Sequence, residues 1–96
     1  MPAAKHFVVI AYDLSHDRRR TKLHKLLLDY GTPVQFSLFE CWLTQKEIEQ
    51  LQARIRKLIR PKDDHVRVYM LCNTCAAKAT TTTAGELTQP AGPIIV

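Results

Sequence analysis

Asp13 closes an apolar run at residues 7–12 and stands just ahead of Arg18, Arg19, Arg20 and Lys22. A carboxylate at a strand end beside a basic helix start can hold a divalent cation while the basic groups hold phosphate. Mg²⁺ takes oxygen ligands and keeps several waters, so one or two carboxylates can make its site. Such an ion polarises a phosphoryl oxygen or activates a water for attack. One Asp per chain makes a poor site, whereas two copies across a twofold axis make a plausible one. The arginines can grip phosphate oxygens bidentately. Positive charge in a helix's first turn opposes the helix dipole, so something other than helix stability keeps it there. Ser37 and Phe39 share a strand face with Gln35. A hydroxyl there could place a phosphate or a water, and an exposed Phe could stack on a base. Tyr12 adjoins Asp13 and invites the same reading. Each residue also has a plainer role: Asp13 turning the chain, the arginines on a solvated helix face, Phe39 packed against a helix or a subunit.

The remaining reactive side chains are arranged less tellingly. Cys72-Asn73-Thr74-Cys75 is a CxxC, but only Cys41 is left over, too few for a four-ligand zinc site in one chain. A redox role needs such a motif at a helix start, so two small buried residues at a strand end are the simpler reading. His16, His24 and His65 show no ligand spacing. Three cysteines in 96 residues make no disulfide framework and suit a reducing compartment. The formal net charge of +5 favours polyanion partners, because Lys and Arg replace counterions condensed on phosphate. A hydrophobic content of 46% supports one core, and a domain this small gains stability by pairing with a second copy. No apolar run approaches the length of a bilayer span, and residues 1–6 are too short for a signal peptide. A cytoplasmic protein with no membrane partner is expected.

The elements that must position these residues follow from periodicity. Residues 7–12 read as a buried central strand. Ser15 or Asp17 is expected to cap a helix whose apolar stripe is Leu23, Leu26, Leu27 and Tyr30. Gly31 is expected at its C′ position, with Pro33 beyond. Residues 34–43 alternate as one long strand, or two divided by a bulge near Glu40, with no clear hairpin turn. Thr44 and Glu47 form a capping box for a second helix with Ile48, Leu51, Ile55, Leu58 and Ile59 on its apolar stripe. Pro61 ends that helix, and residues 65–72 form the last strong strand. The order predicts an α+β ferredoxin-like sandwich over residues 1–78, with both helices on one face of a mainly antiparallel sheet. Residues 79–96 form a Thr-rich connector ending in an apolar edge strand.

Tyr12-Asp13-Leu14, then Asp17, Arg20-Thr21-Lys22-Leu23, Tyr30-Gly31, the stretch Val34-Gln35-Phe36-Ser37-Leu38-Phe39-Glu40 and Val68-Tyr69-Met70-Leu71-Cys72 together resemble the CRISPR-associated Cas2 family. This is the smaller of the two core proteins of spacer acquisition. The resemblance implies a ferredoxin-like homodimer, with Asp13 of both copies flanking a shared Mg²⁺ or Mn²⁺. It implies that residues 93–96 add as a strand to the partner's sheet. It implies a metal-dependent endonuclease acting on single-stranded RNA or double-stranded DNA, and a bridge between dimers of the larger adaptation protein, the integrase. Tyr12, Asp13, Arg20, Ser37 and Phe39 are the site residues it carries over. Arg18, Arg19 and Lys22 stand as further phosphate contacts. A non-catalytic DNA-binding scaffold is the alternative. A metabolite-binding regulatory domain of similar topology is disfavoured by the basic surface and the lack of a Gly-rich loop.

Overall fold

The first strand, β1 (Lys5–Asp13), is flanked on both sides. The structure, a computed structural model, describes residues 4–35, 37–71 and 78. After β1 come α1 (Asp17–Leu28), β2 (Gly31–Gln35), β3 (Leu38–Thr44), α2 (Gln45–Leu58) and β4 (His65–Leu71). The sheet order is β2-β3-β1-β4, and every neighbouring pair is antiparallel. This is the expected ferredoxin-like α+β arrangement. The CxxC cysteines, the whole of the Thr-rich connector and the proposed terminal strand lie outside the described residues.

Alternation along β1 separates two faces. Val8, Ile10 and Tyr12 point into one cluster with Phe39, Cys41 and Leu43 of β3 and with Leu23, Leu26, Leu27, Ile48, Leu51 and Ile55 of the helices. Val66 and Val68 of β4 pack against it. Val8, Ile10, Leu23, Leu27, Phe39 and Leu51 are fully buried, and each such side chain contributes roughly 1.5–3 kcal/mol relative to exposure. The other face presents Asp13 opposite His65, Ala11 opposite Arg67, and Phe7 opposite both Trp42 and Leu71. Phe7 and Trp42 meet there at a ring-centroid distance of 5.2 Å.

Three local expectations are corrected. His16 is the N-cap of α1: its Nδ1 accepts from the Arg18 N–H at 3.3 Å. Ser15 instead gives its N–H to Asp64. The segment expected as one strand, or two divided near Glu40, is two antiparallel strands, β2 ending at Gln35 and β3 starting at Leu38, and β2 starts already at Gly31. Pro33 is tolerated because β2 lies at the sheet edge, where a missing N–H breaks no ladder. Gly31 is not a C′ residue, since the cap of α1 is Asp29. A Cβ on Gly31 would lie 2.3 Å from Cys41 Sγ and 2.5 Å from the Glu40 carbonyl oxygen. Glycine is required there by the close approach of β2 to β3, not by a helix stop. The capping box at Thr44 is present as expected, with both reciprocal bonds formed, at 2.8 and 3.2 Å.

Candidate nucleic-acid and metal site

Asp13 ends β1 with its side chain exposed. It shares a cleft of about 390 Å³ with Ala11, Tyr12, His65 and Arg67. The antiparallel register sets His65 directly across from it and Arg67 across from Ala11. The cation beside Asp13 is therefore Arg67, on β4. The Arg67 guanidinium donates to the Tyr69 hydroxyl at 3.4 Å, and this bond raises its pKa above the ordinary value. Among the described residues, no group of three or more His, Cys, Asp or Glu is placed to hold a metal. One chain offers one carboxylate at this point. An ion held here would have to keep most of its waters and take a second carboxylate from elsewhere.

Ser37 sits at the turn between β2 and β3 and is exposed. Its carbonyl accepts the backbone N–H of Tyr12 at 3.0 Å. The hairpin tip is thereby fastened beside the end of β1, so Ser37 and Asp13 occupy the same end of the sheet.

Four of the five Lys and Arg side chains of α1, those the sequence singled out, have different fates. Arg18 and Lys22 are exposed. Arg20 is paired with Asp17 one helical turn away, and both side chains remain open to solvent. Arg19 turns inward. Its Nε and Nη2 donate to Asp64 Oδ2 and Oδ1 at 2.7 and 3.2 Å, and only 15% of its side chain is exposed. Asp64 also accepts the N–H groups of Arg60 at 2.9 Å and Ser15 at 3.3 Å. These contacts, led by the Arg19 guanidinium, hold the Asp64 carboxyl well below the usual carboxylate range despite its burial. Arg19 is thus a clamp between α1 and the turn before β4. The expectation that it contacts phosphate is corrected, because its fork is already filled by a buried carboxylate.

Tyr12 and Phe39 also differ from expectation. Phe39 is fully buried, with its ring 6.3 Å from that of Tyr12 and 5.2 Å edge-on from that of His24. No base can stack on it, and the packing role holds. Tyr12 is 5% exposed. Burial pushes its phenol above the ordinary value against the opposing pull of Arg20. Its hydroxyl lies 3.5 Å from His24 Nδ1. Tyr12 thus braces the site from beneath, while the neighbouring residue, Asp13, faces solvent.

His65, Arg67, His24 and Asp64 were not marked as site residues by the sequence. The first two became visible only through the β1–β4 register. Asp64 carried one weak signal, an acidic pair in a turn that follows a basic helix end.

Comparison with known proteins bears on the family and the fold. Residues 6–79 match the family model described as CRISPR associated protein Cas2. A CRISPR-associated endoribonuclease Cas2 of Synechocystis sp. is 41% identical over 88 residues, covering 92% of this chain and 96% of that relative. A crystal structure of a hypothetical protein from Thermus thermophilus superposes with a TM-score of 0.77 at 35% identity, covering 88% of this chain and 99% of that one. A chain in a partial Cas6-RT-Cas1–Cas2 complex superposes with a TM-score of 0.68 at 30% identity, covering 80% and 90%. A family match over more than three quarters of the sequence, on the fold the residues themselves dictate, places the chain in the Cas2 family of CRISPR associated proteins.

Proposed function

We propose that the chain works as a homodimer in CRISPR spacer acquisition, as a metal-dependent endonuclease on RNA or DNA phosphodiesters that also bridges dimers of the integrase. The observation that carries the nuclease reading is Asp13, an exposed carboxylate at the end of a central strand with Ser37 fastened alongside. Support for the activity comes from the relative named an endoribonuclease, and for the integrase partnership from the Cas1–Cas2 complex. Asp13 of two copies would hold Mg²⁺ or Mn²⁺, which supplies polarisation of a phosphoryl oxygen or activation of a water when bound. Ser37 would place the phosphate by its hydroxyl. Arg18, Arg20 and Lys22 would hold the strand's backbone, with Arg20 released from its exposed and weak pairing with Asp17.

Asp13→Asn should abolish cleavage of single-stranded RNA and of duplex DNA in highly purified protein. Cleavage at the parent rate would rule out the nuclease reading. A wholly monomeric protein by sedimentation would remove the shared site. The exposed cations also fit a second reading, a DNA-binding scaffold. Under it, Asp13→Asn leaves integration intact, while Arg18→Ala with Lys22→Ala weakens duplex binding and flattens its salt dependence.

A further inference from the structure

A second cleft lies between α1 and the β2 edge of the sheet, and Tyr12 lines both the Asp13 cleft and the smaller one that adjoins this second cleft. The second cleft measures about 770 Å³ and is lined by His24, Pro33, Val34, Gln35 and Ser37. An adjoining cleft of about 340 Å³ shares His24 with it and holds Arg20 and Lys25, together with Asp17. We infer that this double cleft is a binding site for an unpaired nucleobase and its flanking phosphate. The inference rests on the chain's acting on nucleic acid as proposed above, and assigns the place where an unpaired base is held.

The chemistry of the lining selects this occupant. Pro33 and Val34 give a solvent-facing apolar wall, and Val34 is 47% exposed on an edge strand. Side chains of this kind suit the face of a flat ring rather than a charged group. The His24 ring opposes them. It is held in place by edge contact with Phe39 at 5.2 Å and by the Tyr12 hydroxyl at 3.5 Å from Nδ1. A ring fixed in this way offers a stacking surface with little ordering cost. Gln35 carries an amide that can donate and accept at once, the pattern needed to meet a base edge. The neighbouring cations, Arg20 and Lys25, are placed for the phosphate next to that base. Asp17 opposes them, but its carboxylate is 93% exposed and its pairing with Arg20 opens at little cost. A paired base cannot enter, because its edge and faces are occupied within the duplex.

The test is equilibrium binding without metal, in EDTA, so that cleavage does not enter. The probes are a fluorescent single-stranded RNA 12-mer carrying 2-aminopurine and a duplex DNA of the same length. Gln35→Ala and His24→Ala should each weaken single-strand binding about five- to tenfold and reduce the change in 2-aminopurine emission. Duplex affinity and its salt slope should stay at the parent values. Arg20→Ala should weaken both probes and lower the slope. Gln35 is exposed on an edge strand, so its variant keeps the fold even if His24→Ala does not. Unchanged single-strand affinity in Gln35→Ala, or equal losses on both probes, would overturn the inference. Either result leaves the Asp13→Asn cleavage test standing, so the two readings fail separately.

Discussion

The backbone N–H of Tyr12 donates to the Ser37 carbonyl at 3.0 Å, one step beyond the last paired residues of β1 and β3, Ala11 and Leu38. This bond makes the hairpin tip and the strand end one rigid unit. The Ser37 hydroxyl takes no part in it. Ser37→Ala should therefore keep the bond and change stability by no more than about 0.5 kcal/mol. If the hydroxyl places the scissile phosphate, cleavage by the same variant should fall at least tenfold. Urea unfolding alongside a cleavage assay separates the two effects.

Arg19 and Asp64 should behave as a structural pair. Asp64→Asn leaves the largely buried Arg19 guanidinium without its carboxylate, and Arg19→Ala leaves a buried carboxylate without its guanidinium. Each should lower the thermal midpoint, while Arg18→Ala should barely move it. The pH dependence has a definite sign. The Asp64 carboxyl is held below its ordinary value of 3.8 in the folded state, so the unfolded chain binds the proton more readily. The stability it contributes is fully present above about pH 4 and is lost as pH falls further. The midpoint of the parent should thus drop more steeply from pH 4 to pH 2 than that of Asp64→Asn. Parallel curves would show that the carboxylate contributes nothing specific.

Gly31→Ala should destabilise the domain through the sheet, not through the helix it follows. The added methyl meets Cys41 Sγ at 2.3 Å and the Glu40 carbonyl oxygen at 2.5 Å. One of these is backbone and cannot rotate away, so β2 must shift from β3 at a cost of about 1–3 kcal/mol. Shortening Cys41 to Ala in the same chain should recover only part of the loss, since the contact with the Glu40 carbonyl persists. Full recovery in the double variant would show that the sulfur alone is responsible.

The legible parts of the fold were those written in local periodicity. The Leu23, Leu26 and Leu27 stripe and the Thr44–Glu47 capping box are short-range patterns, and both are present. The division between β2 and β3 after Gln35 was not legible, because strand-forming residues run on both sides and neither Gly, Asn nor Asp marks it. Gly31 read as a helix stop because it follows a helix, but its reason lies ten residues away in β3. Asp13 and Ser37 stand out in the sequence by residue type and position, and both are exposed in the structure. The company of Asp13 was not legible. His65 and Arg67 are over fifty residues distant and adjoin it only through the β1–β4 register. The run Arg18-Arg19-Arg20 reads as uniform charge, yet α1 turns about 100° per residue. Arg19 is rotated toward Asp64 while Arg18 stays in solvent.

Cys41 reports on the β2–β3 contact directly. It is fully buried, and burial, aided by the neighbouring Glu40 carboxylate, pushes its thiol up to about 11. At pH 8 roughly one part in a thousand is thiolate, and even that fraction is shielded from reagent. Iodoacetamide should therefore leave Cys41 unmodified in the folded protein, as read by peptide mass mapping, and should label it fully in urea. Gly31→Ala forces β2 away from this same sulfur, so labelling of Cys41 in the folded variant should rise well above the parent rate. Labelling that stays at the parent rate in a demonstrably destabilised Gly31→Ala would mean that the strand shift occurs elsewhere and that Gly31 does not seal the thiol.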